Sequence, residues 1–302
     1  MISTIEKIIT AKPFLKWAGG KTQLLDEIEK RLPNIFRTGE VTTYIEPFVG
    51  GGAVFFYIAQ NYPSIKYFYL FDINNDLVNC YKTIQSNVYE LIDALKKLES
   101  SFLSLNHTVR KNFYSEIRAS FNQDKCKKNN LETVAKLIFL NKTCFNGLYR
   151  VNRKNGFNVP FGDYKKPKIC DEKNLLAVSQ VLQRAEIICG DFEKSEKYIN
   201  KKTFVYLDPP YRPLNKTANF TSYSKDSFSE DDQLRLANFC KEIKKTGAKF
   251  LLSNSDPKNE NKNDNFFENN FKGFDICSVK ASRLINCKAI GRGQINELII
   301  TN

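Results

Sequence analysis

The 302-residue chain is poor in the residue types on which several common chemistries depend. His107 is its only histidine, which excludes a Ser-His-Asp triad and histidine-based acid/base catalysis. Its eight cysteines, at 80, 126, 144, 170, 189, 240, 277 and 287, form no CxxC pair, so the ligand set of a zinc site is missing. They read instead as reduced, packed thiols. None follows a proline, so the nucleophile of enzymes that methylate carbon 5 of cytosine is missing as well. No run approaches the ~18 consecutive apolar residues of a spanning helix. The first residues, with Glu6, Lys7 and Lys12 spread through them, lack the charged, apolar and small-residue order of a signal peptide. These absences predict a soluble, cytoplasmic protein without metal and without membrane association.

What is abundant is positive charge. Lys and Arg number 46 against 33 Asp and Glu, a net +13. Residues 110–170 carry 14 basic and 4 acidic side chains, so most of the excess is concentrated there. A solvated helix face explains a small basic excess; this concentration favours a polyanionic partner, and nucleic acid is the simplest. A membrane-surface role would need a strongly amphipathic basic helix with exposed Trp, which is not seen. The 42% hydrophobic content supports one large α/β domain or two domains.

The chain is organised around Asp208-Pro209-Pro210-Tyr211, which ends the apolar run 203–207. Pro210 cannot donate to a ladder and Pro209 holds Asp208 extended, so a buried strand stops abruptly here. Ligands of open α/β sheets sit outside the carboxyl ends of strands. At this end a carboxylate and a proline carbonyl can each accept an N–H of an exocyclic base amine, with Tyr211 stacked on the base. A bland proline turn is the competing reading for the tetrapeptide alone.

Upstream, residues 42–45 read as a strand and 46–52, Glu-Pro-Phe-Val-Gly-Gly-Gly, as a tight turn before a helix over 53–59. The next run, 67–71, ends at Asp72, 22 residues after Gly50, close to the ~20-residue offset at which a Rossmann acid reaches a ribose hydroxyl. That spacing favours a nucleoside-containing cofactor. Gly19-Gly20-Lys21-Thr22 invites a P-loop reading, but the pattern needs glycine at 15, where the chain has Leu15.

From 75 to 140 the pattern is mostly helical, and 141–168 breaks it with Asn, Gly, aromatic and basic residues. Arg and Asn read base edges, Lys holds phosphates, and an apolar side chain wedges between bases. Strand signals resume at 185–189, 203–207 and 248–252, with a helix between the last two that begins at Ser229 with Asp232 three residues on and ends at Gly247. The Asn-rich stretch 256–270 reads as a mobile loop. Residues 274–279 and 295–301 read as a closing strand pair, with Arg283, Lys288 and Arg292 in a flexible connection. No internal repeat is present.

Six motifs in order resemble one family, the Dam-like adenine-N6 DNA methyltransferases, over nearly the whole chain. They are Phe14-Leu15-Lys16-Trp17-Ala18-Gly19-Gly20-Lys21, Glu46-Pro47-Phe48-Val49-Gly50-Gly51-Gly52, Asn146-Gly147-Leu148-Tyr149-Arg150, Phe157-Asn158-Val159-Pro160-Phe161-Gly162, Asp208-Pro209-Pro210-Tyr211 and Ala218-Asn219-Phe220-Thr221-Ser222-Tyr223. The order of cofactor turn, target region and catalytic tetrapeptide is similar to the α group of amino-methyltransferases. The resemblance implies a Rossmann-like α/β sheet binding S-adenosyl-L-methionine, built from 1–75 and 185–302, with a mostly helical target-recognition domain over 76–184. It implies cofactor contacts from Trp17, Lys21, Glu46, Phe48, Gly50, Gly52, Asp72, Asp191, Phe192 and Asp208, and catalysis by Asp208, Pro209, Pro210 and Tyr211. Lys16, Phe145, Asn146, Leu148, Arg150, Pro160 and Tyr164 are the implied contacts to double-stranded DNA. Close relatives often carry a basic residue where this chain has Asp163, which repels a phosphate. The implied reaction is N6 methylation of an adenine, within GATC, flipped from the duplex. The expected enzyme is a monomer, with a cognate restriction endonuclease encoded nearby that forms no stable complex with it. The rival readings are an RNA or protein-glutamine methyltransferase, which the basic insert disfavours, and a DNA-binding protein with a decayed methylase fold, which the intact motifs disfavour.

Overall fold

A computed structural model describes residues 10–125, 130–212, 228–282 and 294–302. The motif at 218–223 and Arg283, Lys288 and Arg292 lie outside the described residues. In chain order the elements are α1 (Leu25–Lys30), α2 (Asn34–Arg37), β1 (Thr43–Glu46), α3 (Ala53–Asn61), β2 (Tyr67–Asp72), α4 (Asn75–Ser86), α5 (Val88–Ser104), α6 (His107–Asp124) and α7 (Leu131–Thr143). They continue as α8 (Glu172–Leu182), β3 (Ala185–Cys189), β4 (Thr203–Leu207), α9 (Glu230–Lys245), β5 (Lys249–Ser255), α10 (Phe266–Asn270), β6 (Asp275–Ser282) and β7 (Gln294–Thr301).

The seven strands form one sheet in the order β3-β2-β1-β4-β5-β7-β6. β1 to β5 run parallel, and β7 is antiparallel to both β5 and β6. The fold is a Rossmann-like α/β sheet. Every residue of β1 and β4 is buried, as expected for central parallel strands covered on both faces. Ile45 is paired with Val205, Glu46 with Leu70 and Asp72 with Cys189. This register brings the carboxyl ends of four parallel strands to one edge of the sheet, and with them Glu46, Asp72, Asp191 and Asp208.

Helices α5, α6 and α7 pack on one another, and α7 also meets α4. Both α4 and α8 lie against strands of the sheet, so one apolar core runs from the sheet face into the helical insert without a break. Local signals start several of these helices: Asn74, Asn106 and Asn130 each cap the helix that follows, and Ser229 and Asp232 form a reciprocal capping box on α9. Gly247, at φ +81°, follows the end of α9.

The stretch 256–270 is not the mobile loop that its composition suggests. Asp256 caps a single 3-10 turn, Pro257–Asn259, and the Asn259 amide donates to the carbonyls of Asp256 (2.8 Å) and Asn296 (2.7 Å). Phe267 is fully buried and roots α10. Asparagine side chains act as backbone substitutes here, and the phenylalanines supply the anchor that composition alone does not weigh.

Candidate active site

Because β4 is buried along its length, Asp208 emerges at its end with 17% of its side chain exposed. Its Oδ1 accepts from the Lys21 ammonium at 2.8 Å and from the Ser253 hydroxyl at 3.0 Å. Ser253 lies on β5 and is within 3.2 Å of the Tyr206 hydroxyl. Among the described residues nothing donates to Asp208 Oδ2 or to the carbonyl of Pro209. Burial pushes the Asp208 carboxyl above its ordinary range, and Lys21 pulls back against that shift. Gln233 donates to the Pro210 carbonyl at 3.1 Å, and the Tyr211 hydroxyl donates to Glu297 at 2.6 Å, so α9 and β7 both brace the turn. The Lys21 ammonium also sits 4.7 Å from the centre of the Tyr211 ring.

The glycine turn closes on Asp72. Its Oδ2 accepts from Gly50 N at 3.1 Å and its Oδ1 from Asn74 N at 2.8 Å, so the 22-residue offset is realised as a direct bond. Gly50 and Gly52 have φ of +48° and +71°, and a Cβ on Gly52 would stand 2.5 Å from the Tyr81 hydroxyl, which itself donates to Gly50 O at 3.0 Å. Burial raises the Asp72 carboxyl, and the N–H groups of Asn74, Gly50 and Ile73 oppose the shift. Glu46, only 2% exposed, accepts from the Tyr44 hydroxyl at 2.7 Å; burial holds its carboxyl well above the usual range. Asp191 caps the turn that contains Phe192, and Arg235 from α9 pairs with Asp191 (2.9 Å), Glu193 (2.7 Å) and Asp232 (2.8 Å) while lying over the Phe192 ring.

All the sequence-predicted cofactor residues, Trp17, Lys21, Glu46, Phe48, Gly50, Gly52, Asp72, Asp191, Phe192 and Asp208, line one cleft of about 1670 Å³, together with Pro209, Pro210 and Tyr211. Lys16 and Arg150 reach the same cleft from the predicted DNA set. Phe145, Asn146, Leu148, Pro160 and Tyr164 lie outside its lining. They occupy the loop beside it: Phe145 is 52% exposed, Asn146 takes φ +55°, Phe145 N donates to Pro160 O at 2.8 Å, and Lys16 stands 5.7 Å over the Tyr164 ring. Arg150 is exposed, with its guanidinium steered by Asn158 through bonds of 2.7 and 3.0 Å. Asp163 pairs with the single histidine, His107.

Trp17 stacks on Tyr149, with ring centres 4.9 Å apart, and this joins the cleft wall to the loop. The Tyr149 hydroxyl donates to Asp76 at 2.6 Å, and Asp76 pairs with Lys125 at 2.6 Å. Sequence reasoning missed Tyr149 as part of this wall, although it lies within the 146–150 motif. It also missed Ile73, which is 62% exposed at the cleft rim just after a strand-end acid, a position that signals a ligand-facing side chain. Ser253, Arg235 and Glu297 carry no comparable signal.

A model of the D12 class N6 adenine-specific DNA methyltransferase family matches residues 17–285. The chain belongs to this family. A type II methyltransferase of Methanocaldococcus jannaschii, M.MjaIII, is 52% identical, with 96% of this chain and 99% of that protein aligned. The type II methyltransferase M1.LlaDCHI of Lactococcus lactis subsp. cremoris is 38% identical, covering 97% and 96% of the two chains. A DNA adenine methylase of Vibrio cholerae is 37% identical over 95% of each. This D12 class enzyme is therefore an adenine-specific DNA methyltransferase acting on double-stranded DNA, and membership implies S-adenosyl-L-methionine as methyl donor. Among its described residues no helix is long and apolar enough to cross a membrane.

Proposed function

We propose that the cleft binds S-adenosyl-L-methionine beside the glycine turn and receives an adenine, flipped out of GATC, against Tyr211. The observation that carries this reading is the half-used state of the tetrapeptide: Asp208 Oδ1 is held by Lys21 and Ser253, while no donor among the described residues takes Oδ2 or the Pro209 carbonyl, which suit two N–H groups of one amine. The residues fit the donor. Gly50 and Gly52 leave room for close approach, Asp72 stands at the end of β2, Phe192 and Ile73 offer apolar surface, and Glu46 offers a buried carboxyl at the floor. When bound, the donor supplies a methyl already activated for transfer. The protein's part is positioning: two acceptors orient the amine and draw its lone pair outward, and Trp17 and Tyr149 close the wall.

Extruding the base costs a few kcal/mol, and stacking on an aromatic ring returns ~1–3 kcal/mol. Exposed Phe145 and Arg150 and half-buried Leu148 belong to the loop proposed to hold the opened duplex, with Lys16, Asn146, Pro160 and Tyr164 around it. The catalytic unit spans 1–75 and 185–302 and the target-recognition unit 76–184, with α4 and α8 on the seam. The enzyme acts as a monomer, and the type II names of two relatives support a setting beside a restriction endonuclease encoded nearby. GATC rests on the likeness of the six motifs. Transfer of labelled methyl to plasmid DNA, followed by sequencing for modified adenine, tests the activity and its site: methyl should appear in GATC, and Asp208→Ala should abolish transfer while a gel-shift assay shows that DNA binding persists. Substantial transfer by that variant sinks the assignment.

A further inference from the structure

Glu46 is a buried carboxyl without a cation. Among the described residues no Lys or Arg forms an ion pair with it; the Tyr44 hydroxyl donates to it at 2.7 Å, and the Phe55 N–H is its backbone donor. The titratable and charged groups that face it are Tyr44 on its own strand, Tyr206 and Asp208 from β4 and its end, Tyr81 from α4, and Lys21 from the segment ahead of α1. Burial holds all three tyrosine hydroxyls neutral. The Lys21 charge is taken up by Asp208 at 2.8 Å, so that pair is balanced. An ionised Glu46 would thus be a surplus negative charge inside the protein, next to the Asp208 carboxylate, and a buried charge without a partner is disfavoured. Yet this carboxyl lines the cleft proposed to take the methyl donor.

The donor brings the missing cation. Its α-amino and α-carboxylate groups balance each other, and the sulfonium is left as net positive charge. The spent product is a neutral thioether, with no such charge. We propose that Glu46 carries a proton in the cofactor-free cleft and releases it to solvent when the sulfonium donor enters, whereas the thioether product binds with Glu46 still protonated. The O–H bond of Glu46 breaks, its electron pair stays on the carboxylate, and the proton passes to the buffer. Discrimination between donor and product is thereby tied to pH: raising the pH favours exchange of product for donor.

This inference rests on the reading of the cleft as the cofactor site, and one experiment separates the two. Proton release is measured by titration calorimetry in buffers of different ionisation heat, with the full-length protein and its Glu46→Gln variant, using the sulfonium donor and the thioether product. Protons from the ligand's own amino group are common to both proteins and cancel in the comparison. Below the pH at which Glu46 ionises in the free protein, wild type should release up to one proton more than Glu46→Gln with the donor, and the same number as Glu46→Gln with the thioether. Below the point at which Glu46 ionises in the free protein, donor affinity of wild type should rise by up to about tenfold per pH unit relative to Glu46→Gln. Equal release with both ligands overturns the proposal, and so does donor-linked release that is the same in wild type and Glu46→Gln. Absence of donor binding to wild type overturns the reading of the cleft and the proposal with it. If Glu46→Gln fails to fold, wild type alone decides through an analogue with a permanent cation that holds no titratable proton in place of the methylsulfonium, which should release the same proton as the donor.

Discussion

Asp208 has one oxygen anchored and, among the described residues, one without a donor, and the anchor decides where the second points. Ser253 supplies half of that anchor and is itself within hydrogen-bonding distance of Tyr206 on the neighbouring strand. Ser253→Ala should therefore lower kcat by about 10- to 100-fold, the ~1.5–3 kcal/mol of a hydrogen bond to a charged group, with the KM for the donor little changed. An equal rise in KM with kcat intact would show that Ser253 serves binding. The acid limb of kcat belongs to the same carboxyl. Burial raises it, so the acceptor is lost to a proton at a higher pH than for an ordinary aspartate, and activity should fall on acidification before the usual Asp range is reached. At this scale the residues proposed to react were placed from the sequence because the proline pair marks the strand end. Their supports were not: Ser253 lies 45 residues from Asp208 and Glu297 lies 86 from Tyr211, and only sheet order brings them there.

The glycine turn shows what an element adds to its residues. Gly52, the residue before α3, combines a left-handed backbone with contact to Tyr81, whose hydroxyl holds the Gly50 carbonyl. Gly52→Ala adds ~1–2 kcal/mol of left-handed strain and forces the Tyr81 hydroxyl aside, so it should destabilise by at least that amount and weaken donor binding. A urea midpoint lowered with unchanged slope checks the stability claim, and an unmoved midpoint refutes it. Elements such as this turn and the capped helices were legible because their signals are local. The stretch 256–270 was not, since Phe267 gains its burial from the distant sheet and Asn259 bonds to a strand almost at the end of the chain.

At the scale of the molecule, the helical insert and the sheet share one core, and the seam between them carries a charge pair. Lys125 and Asp76 are 9% and 7% exposed and only 2.6 Å apart, with Tyr149 bonded to the same carboxylate oxygen. Removing one partner leaves a buried charge, so Lys125→Met should cost about 3–5 kcal/mol, and Lys125→Met with Asp76→Asn should cost less than the single change. Additive costs in that cycle would mean that the pair is not coupled. The fold of the insert was legible as helical periodicity, whereas this seam was invisible, because Asp76 in α4 and Lys125 just after α6 face each other only once α7 has packed on both helices.

The basic surface of that insert combines two kinds of contact that salt can separate. Arg150 is exposed at the cleft and donates two hydrogen bonds to Asn158 that fix its guanidinium, and the sequence motif around it leads us to propose that it reads a base. Lys154, exposed in the following loop and also lining the cleft, has the reach of a phosphate contact. Arg150→Ala should lose ~1–3 kcal/mol of discrimination between cognate and altered sites, with little change in binding to unrelated DNA. Lys154→Ala should weaken binding evenly on every sequence and reduce the slope of log K against log salt by about 0.9. Binding curves at several salt concentrations on GATC and altered duplexes distinguish the two. An even loss with a shallower slope for Arg150→Ala would move that residue from the bases to the backbone, and would leave the reading of sequence to the loop around Phe145 and Leu148.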